Sequence, residues 1–199
     1  MKKSLLMNNY CDKSAHDILV YLGNKIRNKT MNKFNKTLAY VNELLYEPNN
    51  LTIKNIQEET QNSDYGAGIF QLNSKSVRFR VAKITPTKIG QFVSFWEKDE
   101  ANKNQAFSYD NATDLLVINT FNENGDLGQF VFPKEILLQQ NILRTSNTKG
   151  KMAIRVYPSW DTPTSKQAIA TQEWQLPYFC YMSDINSLPI HELLKLYAN

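Results

Sequence analysis

Arg78 and Arg80 stand two apart in Val77-Arg78-Phe79-Arg80-Val81, so on an extended strand they share one face, with Lys83, Thr85 and Lys88 just beyond. Arginine forks grip phosphate oxygens in pairs, lysine meets them as a point charge, and threonine adds a neutral hydrogen bond. This is chemistry for holding a phosphate backbone. The same arginines could instead cover a helix with their stems and pair with the acidic stretch that holds Glu43, Glu47, Glu58, Glu59 and Asp64 against Lys54. A second cluster follows Lys149-Gly150-Lys151 with Arg155, Tyr157, Trp160, Trp174 and Tyr178. Cations interleaved with flat rings can hold a backbone and stack bases, although aromatics beside prolines can equally be core.

Other chemistries are poorly served. The two histidines, His16 and His191, lie far apart and have no nucleophile at usable spacing. No phosphate-binding glycine loop, dinucleotide fingerprint, nucleophile elbow or HExxH is present, and Gly66-Ala67-Gly68 reads as a bend. Cys11 and Cys180 give neither a disulfide framework nor a zinc site, which fits a reducing cytoplasm. No metal site is expected. Leu5-Leu6-Met7 is too short for the h-region of a signal peptide, and the longest apolar run, Leu115–Ile118, falls far short of a membrane span.

Charge is more telling in layout than in sum. The 199 residues carry a net +4 with 42% hydrophobic residues, enough for one domain with a real core. Residues 1–40 hold eight Lys/Arg against two Asp, and residues 71–96 and 144–155 hold basic residues and no acid. Three basic blocks therefore frame one acidic stretch.

The elements that must position these residues follow from periodicity. Ala15, Ile18, Leu19, Leu22 and Ile26 recur at helical spacing behind Ser14, and Phe34, Leu38, Val41 and Leu45 predict a second helix over 33–46, stopped by Pro48. Strands follow at 69–72 and 77–82 across an Asn73-Ser74-Lys75 hairpin turn, and a β-branched and aromatic strand at 91–96 reads as the antiparallel neighbour of 77–82. Leu115–Phe121 and Gln129–Phe132 pair across Asn124-Gly125, and a short helix is expected from Pro133 to Gln140. A strand at 152–157, a helix capped by Thr162-Pro163 and running to about Glu173, and a terminal helix at 189–197 complete the order. The expected fold is α/β or α+β: a single domain with a central mixed sheet flanked by helices over 31–199, preceded by a basic helical segment over 1–30.

Tyr65-Gly66-Ala67, the run Val77–Val93, Trp96, Gly128–Pro133, Gly150-Lys151, Arg155–Pro158, Trp160 and Thr171–Gln175 together resemble the MepB family of bacteria, over about residues 30–182. The family takes its name from a gene beside a multidrug efflux pump. The resemblance implies a fold related to restriction endonucleases and Holliday-junction resolvases, with nucleic acid as partner. Nucleases of that group hold Mg²⁺ between an acid and a (D/E)xK triplet. Lys83 occupies a suitable strand end, but Val81 stands where the triplet needs a carboxylate, leaving Glu43, Glu58 and Asp64 as candidate acids. The expectation is a nucleic-acid-binding protein without catalysis or cofactor. Its contacts are Arg78, Arg80, Lys83, Thr85, Lys88, Lys151, Arg155, Tyr157, Trp160 and Trp174. The alternatives are a Mg²⁺-dependent nuclease and a module binding a small anion or a partner in drug efflux or stress response. No membrane partner is expected, and composition sets no oligomeric state.

Overall fold

The computed structural model describes residues 33–182 and 190–198. The expected helix from Ser14 to Ile26, and Cys11, lie outside them. Helix α1 (Lys33–Val41) buries Phe34, Leu38 and Val41, and the chain continues as a π turn over Asn42–Tyr46 that buries Leu45. A 3-10 turn over Glu47–Asn49 with Pro48 in its first positions ends it, and Asn50 in the left-handed conformation turns the chain away. The expected helix over 33–46 is therefore present with a change of winding.

A six-stranded sheet follows, made of β1 (Ile53–Glu58), β2 (Gly68–Leu72), β3 (Lys75–Val81), β8 (Leu115–Phe121), β9 (Leu127–Pro133) and β11 (Phe179–Tyr181) in that spatial order. Only β3 and β8 run parallel, so the sheet is mixed. Asn73, at φ 52°, makes the two-residue turn between β2 and β3. A three-stranded sheet of β10 (Ala153–Val156), β5 (Lys88–Ser94) and β4 (Lys83–Thr85) packs beside it, and β6 (Glu97–Lys98) and β7 (Asn104–Gln105) form a small hairpin.

The strand at 77–82 and that at 91–96 are not the expected neighbours. β3 stops at Val81, the Ala82 amide donates to the Asn119 carbonyl at 2.9 Å, and the chain steps out of the large sheet. The partner of β5 is β4, with Lys83 opposite Phe92. Sequence periodicity sees a strand over 77–82 and places Lys83 at its end, because alternation of side chains does not reveal that the chain changes sheet at Ala82.

Two cores result. α1 and helix α4 (Ile190–Ala198) pack on one face of the large sheet around Phe70, Phe79, Val117 and Val131. The other face, through Leu116, Ile118, Phe130 and Phe132, meets Val93, Ile154 and Val156 of the small sheet. Strand β8 is buried on both sides, which is why Leu115–Ile118 reads as an unbroken apolar run. Helix α2 (Lys134–Gln139) starts after Pro133, as expected. Helix α3 (Lys166–Gln175) starts later than expected, because the Ser165 side chain, not Thr162, accepts the capping bond from the Ala168 amide.

A polar chain threads the core. The Tyr46 and Tyr197 hydroxyls lie 3.0 Å apart, Tyr197 donates to Gln129 Oε1, Gln129 donates to Asn119 Oδ1 at 2.8 Å, and Asn119 donates to the Arg80 carbonyl at 3.0 Å. Burial raises the Tyr46 and Tyr197 hydroxyls above the usual phenol value, so both stay protonated.

Candidate functional site

The two arginines that opened the sequence reading do not reach solvent together. Arg80 is fully buried, with Nη1 at 2.6 Å from Glu59 Oε2 and a bond to the Phe79 carbonyl. This corrects its expected place among phosphate contacts: no ligand at the surface can touch it. Arg78 lies 3.4 Å from the other Glu59 oxygen, and its guanidinium carbon sits 3.5 Å from the centroid of Phe107. Both are nearly closed off, so the alternative of pairing with the acidic stretch holds for this pair. Burial lowers the Arg80 guanidinium to about 10, against the opposing pull of Glu59, and lowers Arg78 in the same way. Glu59 is the residue that sequence reasoning passed over, and two arginines spaced onto one buried face are the signal that could have found it.

The catalytic candidates do not assemble. Asp64 is largely exposed and pairs with Lys83 at 3.4 Å. Glu43 sits in the π turn, ten residues and about 15 Å along the helix axis from the Lys33 end. Lys33 lies at that other end, near Lys83 and Asp64, with its ammonium pKa lowered first by burial and then by Lys83. Glu58 is exposed on β1, in register with Gly68. Val81 is buried in the core beneath α1. Among the described residues no three Asp, Glu, His or Cys side chains gather as a metal-ligand group, and Glu59, the carboxylate beside Arg78 and Arg80, is committed to those two arginines. These residues do not fit a Mg²⁺ site of the nuclease kind, which needs hard oxygen ligands not already neutralised.

The other candidates converge. Lys88, Lys151, Arg155, Tyr157 and Trp174 line one open cleft of about 840 Å³ between the small sheet and α3. Arg155 fixes its mouth: one terminal nitrogen donates to Thr85 Oγ1 at 2.9 Å and to the Gly90 carbonyl at 2.8 Å, tying β10 to the β4–β5 hairpin. Thr85 is therefore a partner of Arg155 as well as a candidate contact. Gly90, at φ 84°, is required because a Cβ there would meet Tyr157 and Arg155 at under 3 Å. Gln175 locks the rear, accepting from the Tyr157 amide at 2.9 Å and donating to the Arg155 carbonyl at 3.0 Å.

Trp160 is elsewhere. Its ring packs edge-on against Phe179 and Tyr181 beside β11, over Gly128, so it does not join the cleft. Lys83 stands on the outer face of the small sheet, 4.6 Å above the Tyr65 ring. Cys180 is a free, buried thiol whose pKa burial pushes up to about 11. Among the described residues no helix is long and apolar enough to cross a membrane.

The chain matches known proteins over this same region. The MepB-like family profile covers residues 59–181, from Glu59 to the end of β11. A solved structure described as the crystal structure of MepB is similar at 40% identity and TM-score 0.66, over 77% of this chain and 99% of that one. No curated protein matches. The matched residues include the buried Glu59–Arg78–Arg80 group and the whole cleft, and the chain belongs to the MepB-like family.

Proposed function

We propose that this protein binds nucleic acid through the cleft between the small sheet and α3, and does not cut it. The observation that carries this reading is convergence. Lys88 and Lys151, 63 positions apart in the sequence, come with Arg155, Tyr157 and Trp174 to one concavity where cations and rings alternate. The lysines are exposed and can neutralise phosphates, while Trp174 is half-buried and Tyr157 is buried against the cleft wall. The nuclease-like scaffold that the family resemblance implies is part of this proposal, and the mixed sheet with Lys83 at a strand end supports it. The missing carboxylate at Val81 and the scatter of Glu43, Glu58 and Asp64 favour binding over hydrolysis.

The test is a titration against labelled oligonucleotides at two salt concentrations, with and without Mg²⁺, on native and denaturing gels. The expected result is a mobility shift that weakens steeply with salt, with no cleavage in Mg²⁺. Shallow salt dependence together with tight competition by free phosphate would favour a small anion as ligand instead, and cleavage that needs Mg²⁺ would overturn the non-catalytic reading.

A further inference from the structure

Far from the cleft, α1 and the edge strand β1 form the walls of an open groove of about 650 Å³. Leu38 and Ala39 line it from the helix, Leu51, Ile53 and Ile56 line it from the strand side, and Glu47 stands at one end. Ile56 is 53% exposed and Ala39 is exposed as well, so the groove shows an apolar floor at the edge of the large sheet. An apolar surface on an edge strand invites pairing with other chains unless something covers it. Every residue of the groove precedes Glu59, where the family profile begins, so the groove belongs to this chain's own N-terminal part.

The chain carries a segment that fits. Ala15, Ile18, Leu19, Leu22 and Ile26 form one apolar stripe at about 100° per residue, and Asn24 falls on the opposite side. The thirteen residues 14–26 would make a helix of about 20 Å, close to the roughly 21 Å that fourteen helical residues cover over 33–46. The six residues 27–32 between them reach about 20 Å when extended, well beyond the roughly 8–10 Å between packed helices, so an antiparallel hairpin closes easily.

Charge selects the same arrangement. Glu58 lies opposite Gly68, and the Phe34 ring sits over Gly68, so this exposed carboxylate marks the Lys33 end of α1. Glu47 marks the other end, where the Leu51 amide donates to the Tyr46 carbonyl at 2.9 Å. An antiparallel segment brings Lys25 and Arg27 to the Glu58 end and Lys13 to the Glu47 end. We infer that residues 14–26 fold back along α1 as an antiparallel helix and seal the groove with their apolar stripe.

Two measurements on the full chain test this. Hydrogen exchange compares wild type with Leu22→Asp, which sets a charge in the stripe, and Asn24→Asp, which sets the same charge on the opposite side. Amides over 35–42 and 51–57 are expected to exchange roughly tenfold faster or more in Leu22→Asp, the least that exposing a buried leucine brings to a local opening, and at the wild-type rate in Asn24→Asp. Amides over 115–121 should keep their wild-type rate in both, which separates undocking from unfolding. In dilute Cys11→Ser protein, with the buried Cys180 left in place, oxidation should join Leu19→Cys to Ala39→Cys within one chain, roughly tenfold faster or more than it joins Asn24→Cys to Ala39→Cys. Where Leu22→Asp unfolds the whole chain, this cross-link decides alone. Unchanged exchange in Leu22→Asp, or cross-linking no faster than in the Asn24→Cys control, overturns the inference. Cross-links formed only between chains assign the groove to a second copy and overturn it too.

Discussion

Arg80 and Glu59 form an ion pair in which the arginine is wholly closed to solvent and the carboxylate is nearly so, with 2.6 Å between Nη1 and Oε2. The Nε and Nη2 groups of Arg80 have no hydrogen-bond partner among the described residues, so the carboxylate is the main compensation for that charge. Removing one partner of a buried pair strands the other, at a cost of about 3–5 kcal/mol. Glu59→Ala is therefore expected to lower the free energy of unfolding by that order in a urea titration. A midpoint unchanged from wild type would show that Arg80 is compensated in some other way.

The cleft lysines carry a separable prediction. Lys88→Ala and Lys151→Ala lie on exposed positions and should leave stability unchanged while each flattens the log–log salt slope of binding, by about 0.9 on duplex or 0.7 on single strand. Fluorescence anisotropy at four salt concentrations measures this. Slopes identical to wild type would remove both lysines from the contact surface.

Arg155 should behave differently from those lysines. Arg155→Lys keeps the charge but replaces the rigid guanidinium, whose one terminal nitrogen donates to both Thr85 Oγ1 and the Gly90 carbonyl, with an ammonium on a shorter, flexible stem. Amide exchange in residues 85–90 is expected to accelerate in this variant and to stay at its wild-type rate in Lys88→Ala. Unaltered exchange in Arg155→Lys would mean that the hairpin holds without its cross-strand tie.

The Asp161 carboxyl is pushed up to about 6 from 3.8 by burial, with Arg155 pulling it the other way, and its Oδ2 has no hydrogen-bond partner among the described residues. A raised value in the folded state means that protonation stabilises the fold; this contribution is full below about pH 4 and lost as pH rises through 6. Asp161→Asn should accordingly melt above wild type at neutral pH, with the gap closing between about pH 6 and pH 4. A gap that does not vary with pH would assign the effect to packing.

A substitution at Gly68 tests the packing of α1. A Cβ there would overlap the Phe34 ring, which itself meets Phe79 edge-on at 5.7 Å. Gly68→Ala must displace α1 and should cost about 1–3 kcal/mol. Paired with Phe34→Leu, which makes room, the loss should be smaller than the sum of the single losses, as a double-mutant cycle would read.

The sequence announces some of this and conceals the rest for physical reasons. Phe34, Leu38 and Val41 declare α1 because one face of a helix must be apolar, and Leu115–Ile118 declares β8 because both of its faces are covered. β1 is silent, since five of its six residues are exposed and nothing forces an alternating pattern. β11 is silent because three residues are too few to show a period. At the site, Lys88, Lys151, Arg155, Tyr157 and Trp174 were legible as types and brought together by the fold. Arg80 was misplaced because a charge reads as surface until its partner is known, and Glu59 was hidden among neighbours of the same sign. The pairing of both Lys83 and Arg155 with Phe92, across β4, β5 and β10, depends on strand register, which no local pattern in the chain encodes.

The step from β3 into β4 at Ala82 also orders events in time. The β1–β2–β3 meander needs only near neighbours in sequence, so it can close while the rest of the chain is still being made. β8 then has to insert beside β3 from 38 positions away, and its other edge stays unpaired until β9 arrives. The cleft comes later still, since its walls reach from Thr87 to Gln175. A chain stalled or clipped before α3 can hold most of the large sheet and yet present no ligand surface. Binding thus waits on α3, which is made after most of the large sheet, and it is lost once a protease working from the C-terminal side passes Gln175.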